Sequence, residues 1–410
     1  MKVEVAIVGA GPAGISAAVA ALLADCKVAL IDDNPALGGQ IWRGNQGSID
    51  HADLLNNPNL IYLPSTRVVA APARNCIVLE TATEAINLQF ARLIVATGAR
   101  ENLLPFPGWT LPGVMGAGGL QAMVKSGMSV KNQRIVLAGT GPLLLAAADS
   151  LQRAGAQVLL IAEQAQRVDL LRFAGSLWAY PSRLKQTAQL LWSLRGIPYR
   201  ASSYVCSASG QDRLHSVRLQ TGTQSVDMAC DWLGIGYGLI PNTELLRALG
   251  CVVANGCAVV DDVMQTSVAH IYAAGEASGV GGVDKAVLEG RIAGLAASGQ
   301  HRAARALMNQ RSRSIKFVRL LEHSFTLRPE IAAQVQDDTI ICRCEDVTAG
   351  QLAGFNNWRE AKLQTRCGMG PCQGRICANA CSTIYGWRDT HSRPPLQPAK
   401  LATLANITSL

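Results

Sequence analysis

Residues 3–8 (VEVAIV) form a nearly unbroken apolar run of strand length, and glycines at 9, 11 and 14 interrupt it. Residues 15–24 are apolar and free of glycine and proline, as a buried helix requires. Residues 27–31 are a second apolar strand that closes on Asp32. The pattern predicts a βαβ unit. Residues 134–162 repeat it, with strand RIVLAG, turn GTGP, helix LLLAAADSLQRAG and strand QVLLIA.

Between the two units, residues 60–90 carry β-like patterning, RLIVATGAR is an apolar strand, and ENLLPFPGWTLPGV is a proline-rich crossover. The later segment HIYAAGEASGVGGVDKAVLEGRIAGLAA again reads strand, glycine turn, helix, and predicts a return to the first unit. A basic helical stretch starts near Arg302 and leads into a cysteine-rich region. Pro394, Pro395 and Pro398 predict an extended tail after it. The expected organisation is a first nucleotide-binding domain over 1–128 and 257–300 and a second over 129–256. A linking helical segment at 301–340, a cysteine-rich domain at 341–390 and a tail at 391–410 complete it.

Composition narrows the class. With 410 residues, 49% of them hydrophobic, the chain can bury more than one core, and 39 glycines against 16% charged residues suit tightly turned α/β units. The net charge of +8 is spread thinly apart from residues 301–319, which have no interleaved stacking aromatics, so nucleic-acid binding is not expected. The chain opens on MKVEVAIVGAGPAG, a strand running into the glycine turn, which predicts a cytoplasmic protein without a signal peptide. No stretch reaches the roughly 18 uninterrupted apolar residues of a spanning helix.

Gly9, Gly11 and Gly14 form GxGxxG directly after a strand and at the start of a helix. The first glycine permits the tight turn, the second admits pyrophosphate to the backbone, and the third lets the helix pack closely. Asp32 lies where an adenosine ribose would meet an acid, with Asp33 as its rival. The second turn reads Gly139-Thr140-Gly141-Pro142-Leu143-Leu144, so leucine stands in place of the third glycine. That predicts a helix pushed off its strand and a degenerate nicotinamide site, although Glu163 could mimic the ribose acid. No thiol pair adjoins the first unit (GGQIWRGN), which sets disulfide reduction aside.

Six of the twelve cysteines fall between 342 and 381. Cys342 and Cys344 form CxC; Cys372 and Cys377 form CxxxxC after a 27-residue gap. Four thiolates on two short loops suit a 2Fe-2S cluster, and four would equally hold structural zinc. The other six, Cys26, Cys76, Cys206, Cys230, Cys251 and Cys257, read as packed apolar thiols. The six histidines are scattered without metal-ligand spacing.

The strings GAGPAG, DDNPALGGQIWR, ATGAR and AGEASG occur in the order found in two-dinucleotide-binding-domain flavoproteins, which the chain resembles. That resemblance implies an α/β fold with two Rossmann-like domains of the glutathione-reductase type and FAD in the first. It places Pro12, Ala13, Gly39, Gln40, Arg43, Ala96, Thr97, Gly98, Gly275 and Glu276 around the cofactor. ICRCEDVT and TRCGMGPCQGR resemble the helical 2Fe-2S domain of bacterioferritin-associated ferredoxin, which implies ligands Cys342, Cys344, Cys372 and Cys377, with Cys367 as a substitute and Cys381 a weaker one.

With PFPGWTLPGV and GYGLIPNTELLRALGC, these strings make the chain similar to the FAD- and iron-sulfur-containing subunits of heteromeric amino-acid oxidising enzymes. Octopine and nopaline oxidases, D-hydroxyproline dehydrogenase, cyanide-forming glycine dehydrogenase and heterotetrameric sarcosine oxidase are of this kind. The resemblance implies an electron relay serving an FAD-dependent, amino-acid oxidase-like subunit that oxidises the C–N bond. A third small subunit, a further flavin (FMN) at the partner interface, a quinone acceptor and peripheral membrane association belong to the same implication. The alternatives are a stand-alone NAD(P)H-dependent FAD oxidoreductase and a non-catalytic redox-sensing or assembly module.

Overall fold

The first strand, β1 (Lys2–Val8), is apolar throughout because both of its faces are covered. Val5 and Ile7 enter one hydrophobic core, and Ala6 and Val8 enter another on the opposite face, the alternation a strand dictates. The computed structural model describes residues 1–42, 51–387 and 393–407. It divides into two units, one of residues 1–100, 240–318 and the C-terminal tail, the other of residues 101–239 and 319–390.

In unit 1, β1 leads into α1 (Pro12–Leu22) and then β2 (Val28–Ile31). Next come β3 (Leu60–Leu63), β4 (Arg67–Ala73), β5 (Cys76–Glu80) and the long β6 (Ala85–Val95). The sheet order is β3-β2-β1-β6-β5-β4. The C-terminal half of β6 runs parallel to β1 and to the strand Ile271–Ala273, while its N-terminal half completes an antiparallel meander with β5 and β4. The helix Val283–Ala297 packs on α1 through glycine: a β-carbon on Gly290 would lie 2.0 Å from Ala13 O, and one on Gly294 2.4 Å from Ala17 O.

Unit 2 holds a five-stranded parallel sheet. Its strands are β7 (Val114–Gly116), β8 (Arg134–Gly139), β9 (Gln157–Glu163), β10 (Tyr199–Arg200) and β11 (Trp232–Gly236), in the order β10-β9-β8-β11-β7. Helix α2 (Pro142–Arg153) follows β8, and its Leu144, Ala147, Ala148 and Leu151 share a core with Ile135, Leu137 and Ile161. A three-stranded antiparallel layer over residues 203–229 contributes Val205, Val217 and Leu219 to the core on the other face. The cysteine-rich residues also belong to unit 2. They form a strand pair, Ile340–Cys342 with Val347–Thr348, and the short helices Ala349–Leu352, Trp358–Thr365 and Cys377–Tyr385 around a small core of their own.

Three expectations from the sequence need correction. Residues 101–128 join the second unit rather than the first, because Leu104, Phe106, Trp109 and Val114 pack in its core and Val114–Gly116 pairs with β11. Residues 240–256 join the first, because Leu245, Leu246, Leu249 and Cys251 pack with Ile77, Leu79 and Val268. The tail is not extended throughout: Leu401–Ile407 is helical, since all three prolines precede it and proline restricts only its own turn of helix and the residue before. The tail packs on its own unit, with Ala399 and Ile407 against Val69, Ala70 and Val78. Glu80, buried, accepts the Lys400 N–H at 2.8 Å and the Thr403 hydroxyl at 2.6 Å. Among the described residues, no helix is long and apolar enough to cross a membrane.

Candidate functional site

In unit 1 the glycine turn lies between the ends of β1 and α1. A β-carbon on Gly9 (φ 106°) would sit 2.2 Å from Ala96 O, and one on Gly14 1.7 Å from Gly9 O, so the strand-to-helix turn closes only on glycine. Gly11 caps α1 from extended backbone without a side-chain hydrogen bond, Pro12 opens the helix, and Ala13 is buried against Gly290. The first N–H groups of α1 therefore face outward from the turn, as anion binding at a helix start requires. Gly38 N–H donates to Ala10 O at 2.9 Å, which lays Gly39 along the turn: a β-carbon on Gly39 would reach Gly11 Cα at 3.0 Å. Gln40 is exposed beside it, and Arg43 lies outside the described residues.

Asp32, only 7% exposed, accepts the Ala10 N–H at 2.5 Å with one oxygen and the Asn34 N–H and Nδ2 at 2.8 and 2.7 Å with the other. Asp33 is exposed and touches only the Asn34 amide, at 3.0 Å. On neighbouring β3 the Tyr62 hydroxyl is buried without a partner, and burial together with the Asp32 charge pushes it up to about 12. A protonated phenol beside the acid at the end of β2 is a donor available to a ribose or a base.

Ala96 continues β6, its N–H on Val8 O at 2.8 Å. Thr97 donates its hydroxyl to Asn242 O at 2.6 Å, and Asn242 Nδ2 donates back to Thr97 O at 3.0 Å. Arg100 Nη1 donates to Asn242 Oδ1 at 2.7 Å and to Glu244 at 2.8 Å, and Gly98 (φ 68°) has open space where a β-carbon would stand. Across the cradle, Gly275 is fixed by a buried ion network. Lys285 donates to Gly275 O, Ser278 Oγ, Gly279 O and, at 2.6 Å, to Glu289, which also takes Arg311 Nε at 3.1 Å. Glu276 accepts the N–H groups of Gly281 and Gly282 at 3.2 and 3.0 Å, shaping the start of the helix Val283–Ala297; burial raises its carboxyl. An open, glycine-lined helix start, a saturated acid and an unpartnered phenol fit the adenosine and pyrophosphate half of FAD.

In unit 2, Cys342, Cys367 and Cys377 are buried with their Sγ atoms within 4.8 Å of one another. Two thiolates about 2.3 Å from one ion stand no more than about 4.6 Å apart, so this spacing needs little adjustment to ligate. Cys377 donates to Cys342, Cys367 and Cys372; Cys367 donates to Cys342 and Cys381; and the exposed Cys344 donates to Cys372. The bonds from Cys367 and Cys377 hold Cys342 down to about 2, and the bond from Cys377 helps hold Cys372 at about 5. Gly368 N–H also reaches Cys342 Sγ, at 3.5 Å. All six thiols are joined in one array that contains the four expected ligands, Cys342, Cys344, Cys372 and Cys377. The tightest group, however, takes in Cys367 in place of Cys344 and Cys372. The donor set fits a thiolate-bound metal or iron-sulfur centre.

The second glycine turn departs from expectation in one respect. Leu144 is fully buried, and Gly236 opposes it, so that a β-carbon on Gly236 would meet Leu144 Cδ2 at 3.3 Å. Glycine on the facing strand supplies the room that the missing third glycine would have given.

Residues 3–290 match the pyridine nucleotide-disulphide oxidoreductase family. The chain belongs to that family. This pyridine nucleotide-disulphide oxidoreductase is 34% identical to an opine oxidase subunit of Rhizobium meliloti (strain 1021), over 98% of each chain. It is 31% identical to hydrogen cyanide synthase subunit HcnB of Pseudomonas protegens, over 93% of this chain and 92% of that one. The crystal structure of L-proline dehydrogenase from P. horikoshii shares its fold, with a TM-score of 0.71 at 20% identity over 98% of this chain and 79% of that one. The chain is thus an FAD-binding oxidoreductase with Rossmann-like sheets. No reactive dithiol adjoins its flavin turn among the described residues: the thiols outside the C-terminal array are separate, and burial pushes Cys230 up to about 12, the opposite of an activated nucleophile.

Sequence reasoning missed Asn242, which sits 145 positions from the loop it holds. It also missed the Lys285–Glu289–Arg311 network. Lys285 and Glu289 at i,i+4 read as an ordinary surface pair, and only the fold reveals that both are buried.

Proposed function

We propose that the chain is the electron-transfer component of a heteromeric dehydrogenase or oxidase of amines or imino acids, holding FAD in unit 1 and a 2Fe-2S cluster in unit 2. The observation that carries the reading is the six-thiol array, found in a chain that aligns end to end with a component of opine oxidase. In unit 1, Gly9, Gly11, Pro12, Ala13 and Gly14 receive the pyrophosphate and Asp32, with Asp33 as its rival, the ribose. Gly39, Gln40, Arg43, Ala96, Thr97, Gly98, Gly275 and Glu276 surround the remainder. In unit 2, Cys342, Cys344, Cys372 and Cys377 ligate the cluster, with Cys367 as the substitute. When bound, the two groups supply the exchange between two-electron and one-electron chemistry. The chain's own residues position them: the glycine turn admits the phosphates, Asn242 fixes the 97–98 loop, and Lys285 with Glu289 fixes Gly275.

The C–N bond is oxidised on an FAD-dependent, amino-acid oxidase-like partner subunit, with a third small subunit and an interfacial FMN completing the complex. Electrons leave to a quinone, which places the complex at the membrane periphery. The test is iron, zinc and acid-labile sulfide content, with an absorption spectrum, on anaerobically purified protein. About two irons and two sulfides per chain beside a flavin support the relay. Zinc, or no metal, removes the one-electron half of the reading.

A further inference from the structure

We infer that Phe325, held by the strap of residues 325–328, occupies the dinucleotide crevice of unit 2 and is the residue that makes this chain refuse nicotinamide nucleotides. In a parallel sheet with helices on its faces, a dinucleotide binds outside the carboxyl ends of the strands. Its pyrophosphate lies over the glycine turn and its ribose meets the acid that closes the next strand. In unit 2 these places are the Gly139–Gly141 turn after β8 and Glu163 at the end of β9.

Both are taken by the chain itself. The second glycine of such a turn is needed because a β-carbon would stand where the pyrophosphate passes. At Gly141 that position faces the Phe325 ring, with Cγ, Cδ1 and Cδ2 at 3.7, 3.9 and 4.0 Å from it. At the equivalent Gly11 of unit 1, the nearest atom is the Gly39 Cα at 3.9 Å, and no side chain covers the turn. Phe325 is wedged edge-on against Phe173, their centroids 5.1 Å apart.

Glu163 is completely buried. One of its oxygens accepts the Gly141 N–H at 2.7 Å and the Tyr199 hydroxyl at 3.4 Å, and the other the Ala165 N–H at 2.8 Å, leaving the carboxylate closed to a ribose. Gln164, also completely buried, bolts the strap to the turn. Its Nε2 donates to Thr140 Oγ1 at 2.9 Å and to Thr326 O at 3.1 Å, and its Oε1 accepts the Arg328 N–H at 3.0 Å. What remains is a cleft of about 210 Å³ between Gln166, Asp169, His323 and Arg328. That is below the roughly 300 Å³ at which ligand pockets begin. The pyridine nucleotide site has become a socket for the segment that leads into the cysteine module, whatever metal that module binds.

The test uses the full-length flavin-loaded protein, titrated calorimetrically with ADP-ribose and with NADH. Wild type shows no saturable binding up to about 1 mM, Phe325→Ala binds ADP-ribose at least about tenfold more tightly, and Phe325→Leu, which keeps an apolar side chain over Gly141, stays closed. Binding by wild type at the strength of Phe325→Ala overturns the inference. So does a Phe325→Ala protein with native circular dichroism and flavin spectrum that still binds neither probe. Should that variant not fold, hydrogen exchange of wild type decides: amides of residues 163–166 and 325–328 unchanged by 1 mM ADP-ribose uphold the plug, and protection there overturns it.

Discussion

Gly290→Ala places one methyl group where the helix Val283–Ala297 crosses α1. Its carbon would stand 2.0 Å from Ala13 O, 2.8 Å from Ala13 C and 2.9 Å from Ala13 Cα, inside the 3.0 Å that real β-carbons essentially never breach. All three obstacles are backbone, so no rotamer relieves them, and the helices must part by about 1 Å. Overpacking of this kind costs about 1–3 kcal/mol, and rigid backbone puts this site at the upper end. A loss of about 3 kcal/mol lowers the melting temperature of a unit of this size by roughly 6–12 °C. The flavin suffers as well, because Ala13 lies in the first turn of α1. A displacement of about 1 Å stretches an N–H···O contact from about 2.9 Å to beyond hydrogen-bond range. One or two charge-assisted bonds, worth about 1.5–3 kcal/mol each, translate to at least about tenfold weaker FAD. Thermal melting followed by flavin fluorescence, with flavin retained after dialysis, reads both effects. Gly175→Ala is the control: its β-carbon meets nothing within 4 Å, and alanine inside the helix Arg167–Ser176 should stabilise by about 0.5–1 kcal/mol. A Gly290→Ala protein melting within about 2 °C of wild type, with full flavin, would refute the close-crossing argument.

Asn242→Ala should weaken flavin retention without unfolding unit 1, since it removes the bonds to Thr97 O and Arg100 at a cost of about 1–2 kcal/mol. A faster flavin off-rate at unchanged secondary structure is the expected result. Asp231→Asn probes the acid limb. Hydrogen bonds from Arg134 hold the Asp231 carboxyl below its ordinary range, so its contribution is complete above the unfolded value of about 3.9 and is lost as pH falls through the lower folded value. The stability gap between wild type and variant, about 1 kcal/mol for this partly exposed pair, should close on acidification below about pH 4. Denaturant titrations at several pH values check it, and a gap that widens on acidification contradicts the sign.

What the sequence disclosed was what repeats locally. The two strand–glycine–helix patterns are visible because strands of the parallel sheets are apolar on both faces, and the CxC and CxxxxC pairs because ligand loops are short. The hidden features depend on contacts between distant segments. Asn242 has no local signature, and the plug is invisible because Phe325 reads as one more aromatic at the end of a basic helix. The domain edges were misplaced where a proline-rich passage gave no period to count, although Trp109 ties that passage to unit 2 by its Nε1–H on Ile340 O, at 2.6 Å. Cys367 shows the reverse case: spacing favoured Cys344 and Cys372 as ligands, whereas burial gathers Cys367 with Cys342 and Cys377.

The split of unit 1 has a consequence for the nascent chain. The flavin turn is synthesised first, yet the helix that seats α1 ends at Ala297, after all of residues 101–239. At about 5–20 residues per second on the ribosome, the apolar face of α1 waits from about fifteen seconds to a minute for its partner. The sheet of unit 2, contiguous from Val114 to Gly236, can close in that interval. Polypeptides released before Ala297 therefore carry a finished second sheet and an unsheltered first one, which makes α1 the surface that chaperones meet and flavin loading a late event in the life of each molecule.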